Sequence, residues 1–165
     1  MEKLKALKSK IFTWEQLQRQ IAIWRFKEKK IVFSNGCFDI LHLGHIEYLA
    51  QARDLGHILI VGLNSDESVH RLKGQHRPVN KEFARELTLA ALSFVDAVVV
   101  FTEDTPLKLI EMVQPDILVK GKDYDEKEIV GADVVKARGG EVITIELVKG
   151  YSTTHTIEKT HKVHV

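Results

Sequence analysis

The residues best suited to chemistry lie in one stretch, Ser34-Asn35-Gly36-Cys37-Phe38-Asp39-Ile40-Leu41-His42-Leu43-Gly44-His45. His42 and His45 are three positions apart, so on a helix they fall about 60° from one another on one face. At a helix start, imidazole N–H donors would join unpaired backbone N–H groups and the positive end of the helix dipole, a combination that suits anions. Gly44 between them, and Gly36 before them, remove side chains where a ligand would approach closely. Such histidines could instead cap the helix or sit on its surface. The pair with its intervening glycine, between an apolar run and a helical one, favours a phosphate site. Cys37 reads as a small loop or core residue, since His42 is the only nearby base. Asp39 suits an Asx-type hydrogen bond or cap, or a water-mediated contact to magnesium or to a phosphate.

Further candidates follow along the chain. Lys73, beside Gly74 and near Arg77, could belong to a mobile cationic loop that closes over phosphates. In Lys120-Gly121-Lys122-Asp123-Tyr124, Gly121 would admit a nucleobase or ribose and Asp123 could accept from a ribose hydroxyl. Gly150-Tyr151-Ser152-Thr153-Thr154 offers hydroxyls and free N–H groups at a helix start, a phosphate cradle or a plain N-cap. Asp66 could meet a ligand or cap the next helix, and Arg85 could contact substrate or form a salt bridge. His155, His161 and His164 read as a solvated helix end. His45-Ile46-Glu47 begins like a zinc deaminase motif, but that chemistry needs a later cysteine pair and Cys37 is the only cysteine. Neither a Walker A sequence nor a three-glycine dinucleotide fingerprint occurs.

The elements that must position these groups alternate. Residues 1–29 are expected to be a helical extension, with a capping-box spacing at Thr13 and Gln16. Trp14, Leu17, Ile21 and Trp24 recur there at helical intervals, to pack on the domain or across a dimer. From residue 30 to 165 strands are expected at Ile31–Ser34, His57–Asn64, Ala97–Phe101, Ile117–Lys120 and Glu141–Ile145. Helices are expected at Leu43–Leu55, Ser65–Leu72, from an Asn80 cap through Leu92, at Pro106–Val113 and near Gly131–Ala137. A last helix should begin near Ser152. Strands apolar on both faces and separated by helices predict an α/β, doubly wound, Rossmann-like parallel sheet. Ligands of such sheets bind beyond the strands' carboxyl ends, where the loops at 35–45, 120–124 and 150–155 converge.

Composition narrows the rest. The 165 residues suit one domain, 44% hydrophobic and 28% charged, which is the balance of a globular protein. Twenty-four Lys and Arg against 23 Asp and Glu give +1, so no basic stripe points to nucleic acid. No apolar run is long enough to span a bilayer, and the polar Thr13–Arg19 stands where a signal peptide needs its apolar centre. A cytoplasmic location is the expectation.

Asn35-Gly-Cys-Phe-Asp39 with His42-Leu-Gly-His45 resembles the signature of the cytidylyltransferase-like nucleotidyltransferases. Within them the chain is most similar to the adenylyltransferase domain of the bifunctional heptose 7-phosphate kinase/heptose 1-phosphate adenylyltransferases. The resemblance runs from about Lys30 to Lys159, through Val61–Asp66, Arg71–Gly74, Arg77–Asn80, Glu103–Pro106, Pro115–Gly121, Gly139–Val142 and Ser152–Thr154. It implies transfer of AMP from ATP to a heptose 1-phosphate, with pyrophosphate released, toward ADP-heptose for lipopolysaccharide. His42, His45 and Lys73 would be the catalytic groups. Asn35, Gly36, Cys37, Phe38, Asp39, Gly44, Lys120, Gly121, Asp123, Ser152 and Thr153 would bind nucleotide. Asp66, Arg77, Arg85 and Lys122 would meet the sugar phosphate. Lys122 stands where the family has a second glycine, and could add a charge for that phosphate. Magnesium would come with ATP and no protein metal ligand is implied. A separate heptose kinase would supply the substrate, and a homodimer is expected from the family. Two other readings stay open: a CTP-dependent transferase acting on glycerol 3-phosphate or another phosphorylated alcohol, and a non-catalytic nucleotide-binding partner of a sugar kinase.

Overall fold

Six short apolar segments pair side by side in the computed structural model, which describes residues 2–122, 128–148, 150–153 and 156–157. They are β1 (Ile11–Phe12), β2 (Ile31–Gly36), β3 (Ile58–Asn64), β4 (Ala97–Phe101), β5 (Ile117–Gly121) and β6 (Glu141–Ile145). Their order is β1-β4-β3-β2-β5-β6, and every neighbouring pair is parallel. The helices are α1 (Glu2–Lys8), α2 (Trp14–Phe26), α3 (Leu43–Asp54), α4 (Asp66–Lys73), α5 (Glu82–Ala90), α6 (Leu107–Val113) and α7 (Ala132–Ala137). All seven residues of β3 are buried, as a parallel strand covered on both faces requires. Alternate residues of each strand feed two separate cores. Val32, Leu59, Val61 and Val98 meet Tyr48, Leu49 and Ala52 of α3 and Leu89 of α5. Ile31, Phe33, Ile60 and Val99 meet Leu17 and Ile21 of α2, Leu109 and Ile110 of α6 and Val135 of α7.

The expectation of helix throughout residues 1–29 is corrected by β1, which separates α1 from α2 and pairs with Val98 and Val99 of β4. Two residues are too few to show any period, and the helical spacing of the residues after them masks the break. The capping box at Thr13 and Gln16 is formed in both directions. Trp14 and Trp24 pack against the core, and the Trp14 indole N–H donates to the Val100 carbonyl at 2.8 Å. Asn80 does not cap the following helix, as expected for it; α5 starts after Lys81, and Asn80 is engaged elsewhere.

The chain order reverses at β2. From β2 the chain steps to β3 and β4 on one side, then crosses to β5 on the other. β2 keeps register with β3 over six residue pairs, but with β5 only at Val32–Ile117 and Phe33–Leu118. A crevice at the carboxyl end of this reversal is where open α/β sheets hold their ligands.

Candidate active site

The loop leaving β2 builds a stack of rings. His42 is the N-cap of α3, in extended conformation, and its carbonyl accepts from the His45 and Ile46 amides. The imidazoles of His42 and His45 stack with centroids 3.8 Å apart and planes 22° from parallel. Phe38, buried and held at φ 43°, meets His45 edge-on at 5.2 Å. Gly36 and Gly44 make this stack fit. A Cβ on Gly36 would lie 3.1 Å from the Phe38 ring, and one on Gly44 would lie 3.2 Å from the His42 ring. The space expected to admit a ligand at these glycines is thus filled by the protein's own rings.

Burial sets the charge of the pair. It holds His42 below the usual imidazole range. It takes His45 down to about 4, helped by His42 and partly opposed by the Ile40 carbonyl. Both rings are therefore neutral at pH 7, each with one N–H to donate and an Nδ1 that has no hydrogen-bond partner among the described residues. Burial also raises the Cys37 thiol, against the nearby positive charges of Lys73, Arg85 and Arg77. Cys37 is a protonated wall residue.

A second framework holds the loops around the stack. The Asp39 carboxylate accepts from Arg77 Nε at 2.6 Å and from the Val79 and Asn80 amides, both at 2.9 Å. The Asn80 side-chain amide donates back to the Asp39 carbonyl at 2.7 Å. Burial alone would raise this carboxyl, but the two amides and Arg77 outweigh it and hold it below its ordinary range. Arg85 is fully buried and donates to the carbonyls of Asn80, Cys37 and Asn64 and to the Asp66 carboxylate. One guanidinium thus joins the ends of β2 and β3 to the 77–80 segment.

A cavity of about 560 Å³ at the carboxyl ends of the strands gathers these parts. From the β2 loop it takes Asn35 through Asp39, His42, Gly44 and His45. From the β3 and β4 side come Asn64, Leu72, Lys73, Arg77, Asp104, Thr105 and Pro106. From the β5 and β6 side come Lys120, Glu128, Ile129, Val130, Leu147, Tyr151, Ser152 and Thr153. Lys73 is exposed, and its side chain makes no hydrogen bond or ion pair with a described residue. Lys120 Nζ donates to Asn35 Oδ1 at 2.6 Å.

Residues 33–159 match the family described as cytidylyltransferase-like. The chain belongs to that family. Relatives called "Bifunctional protein HldE" are similar to it over most of its length. The one from Citrifermentans bemidjiense is 56% identical over 151 residues, 92% of this chain and 31% of the relative. That from Campylobacter jejuni subsp. doylei is 58% identical over 139 residues, 84% of this chain and 29% of the relative. The chain thus spans only about three-tenths of the length of these relatives. A crystal structure titled the lipopolysaccharide core biosynthesis protein from Thermoplasma volcanium GSS1 is 33% identical, with a TM-score of 0.61, covering 75% of this chain and 99% of that one. No helix among the described residues is long and apolar enough to cross a membrane.

As a cytidylyltransferase-like nucleotidyltransferase, the chain brings most of its sequence-derived candidates to one wall. Four described candidates stay off it. Arg85 and Asp66, expected to meet substrate, face each other, and the donors of Arg85 are spent on protein acceptors. Lys122, expected to meet a sugar phosphate, pairs instead with the exposed Glu146 at 2.5 Å and holds that carboxyl below its usual range. Gly121 closes β5, where its carbon framework is buried and outside the cavity lining. Asp123, Tyr124, Thr154, His155, His161 and His164 lie outside the described residues. Asp104 to Pro106 line the cavity without having been singled out as site residues. They follow β4, and the rule that ligands bind past strand ends was the signal for them. Leu147 and Glu128–Val130 carried no such signal, being ordinary in type and spacing.

Proposed function

We propose that this chain transfers AMP from ATP to D-glycero-β-D-manno-heptose 1-phosphate, giving ADP-heptose and pyrophosphate. The observation that carries the reading is the stacked, neutral imidazole pair at the start of α3, on a cavity that also holds Lys73 and Arg77. Identity above one half to the HldE relatives supports the heptose substrate, together with the lipopolysaccharide role in the Thermoplasma title.

In this reaction an oxygen of the sugar phosphate attacks the α-phosphorus of ATP, the new O–P bond forms, and the bond to the β-phosphate oxygen breaks. The nucleophile already carries its lone pair and charge, so no base is required. Catalysis then consists of positioning and charge stabilisation. His42 and His45 donate their single N–H groups to phosphate oxygens, while Lys73 supplies full positive charge and Arg77, paired through Nε with Asp39, adds its outer guanidinium N–H groups. Magnesium arrives on the triphosphate with its own waters, because the Asp39 carboxylate is buried and already accepts from Arg77, Val79 and Asn80. A heptose kinase supplies the sugar phosphate in the cytoplasm, and gel filtration tests the homodimer expected for the family.

Pyrophosphate release, measured over four nucleoside triphosphates and a panel of sugar and alcohol phosphates, tests the assignment. Turnover with ATP and the heptose 1-phosphate is the expected result. Turnover only with CTP and glycerol 3-phosphate would replace the substrates. Tight ATP binding with no product from any acceptor would leave a non-catalytic nucleotide-binding module.

A further inference from the structure

The ladder between β2 and β5 stops at Phe33–Leu118, although each strand continues for three more residues, Ser34–Gly36 and Val119–Gly121. The hydroxyl of Tyr48 fills the gap this leaves. It lies 2.8 Å from Ser34 Oγ on β2 and donates to the Val119 carbonyl of β5 at 2.9 Å. Tyr48 is 7% exposed, so the pairing takes place away from water, where a lost partner is most costly. Tyr48 also belongs to α3, three residues after His45, and residues at that spacing share one helical face. The side chain bridging the divided strands is therefore carried by the helix that presents both histidines.

We propose that Tyr48 is a positioning residue, whose hydroxyl fixes the height and rotation of α3 over the β2–β5 gap and so the stacked orientation of His42 and His45. The inference rests on nucleotidyl transfer at this cavity only for its catalytic consequence; its structural part concerns the ligand-free protein. Without the hydroxyl, Ser34 and Val119 lose the bridge between them and α3 is left with its other polar tie to the sheet, Arg53 through Asp96 to the Leu59 amide at the far end of the helix. Displacements of about 1 Å are enough to lower a positioned reaction up to 100-fold, so a loss of about tenfold in kcat is expected for Y48F. The KM for the triphosphate should change less than about twofold, because Lys73 and Arg77 are untouched, a split of the kind positioning effects give.

The test combines steady-state kinetics with NMR titration of the imidazoles in ligand-free wild type, Y48F and S34A. The His45 ring, at about 4 when held in the stack, should move toward 6.5 in Y48F. S34A, which removes one partner while Val119 still accepts, should move it less and in the same direction. A general loss of stability would not shift that titration in folded protein. Folded Y48F with unchanged ring titration overturns the proposal, whatever its activity. If Y48F does not fold, S34A decides: an unmoved His45 titration refutes the proposal and a shifted one sustains it. Should no substrate pair give turnover in the wild type, the function fails, and the titration still judges the placement of Tyr48.

Discussion

Keeping His45 neutral inside the ring stack makes folding sensitive to mild acid. In the unfolded chain its imidazole titrates at 6.5, and in the folded protein burial brings it to about 4. Between those values the unfolded state binds more protons, so stability rises with pH across the window and falls on acidification. At about 1.4 kcal/mol for each tenfold change in proton affinity, the effect cannot exceed about 3.5 kcal/mol. Most of it, about 2 kcal/mol, is expected between pH 7 and pH 5. Urea unfolding of wild type and His45→Asn at pH 7, 6, 5 and 4.5 isolates it, because every other titrating group is common to both proteins. The wild type should lose about 2 kcal/mol more than the variant on going from pH 7 to 5. Asp39 works in the same sense but at lower pH. Its lowered carboxyl adds stability above its ordinary 3.8, and that part is lost only below it. Parallel pH curves for the two proteins between pH 7 and 5 would refute the claim that His45 is held uncharged.

Other outcomes follow from the same geometry. His42→Ala should slow pyrophosphate release by about 100-fold or more, the loss of one preorganised donor at about 3 kcal/mol, with the urea midpoint close to wild type. Gly44→Ala should uncouple activity from stability. Alanine suits the helix better by about 1 kcal/mol, yet its Cβ would press on the His42 ring at 3.2 Å, so turnover should drop while the melting temperature holds or rises. Asp39→Asn should cost about 3 kcal/mol in urea unfolding, since it strands the guanidinium of Arg77 beside a group that no longer answers it.

Much of this architecture was legible from pattern alone. Ala97–Phe101 and Glu141–Ile145 are strands with the ends that their apolar runs suggested, and among the described residues the 35–45 loop, Lys120, Tyr151, Ser152 and Thr153 line one cavity. Contacts distant in sequence were not legible. For Arg85 a salt bridge stood beside substrate contact, and the structure has the salt bridge, to Asp66; its other partners, Cys37, Asn64 and Asn80, are scattered over the chain, and only the folded sheet brings three carbonyls to one guanidinium. Lys122 looked available until the parallel pairing of β5 with β6 placed Glu146 beside it. Gly44 showed that something must come close, but not that the neighbour would be the preceding histidine. A sequence reports which side chains are unusual; whether each is already satisfied by another depends on topology.

The two-residue strand near the amino end carries a practical consequence. β4, with three consecutive valines, is the kind of flat, branched, uncharged segment that recruits other chains when its flank is open. Ile11 and Phe12 shield that flank, and the helix after them plugs the sheet with Leu17 and Ile21. A gene shortened to begin at Lys30, where the catalytic pattern starts, would leave this seam bare. Insoluble protein is the expected yield, with every residue of the cavity still encoded.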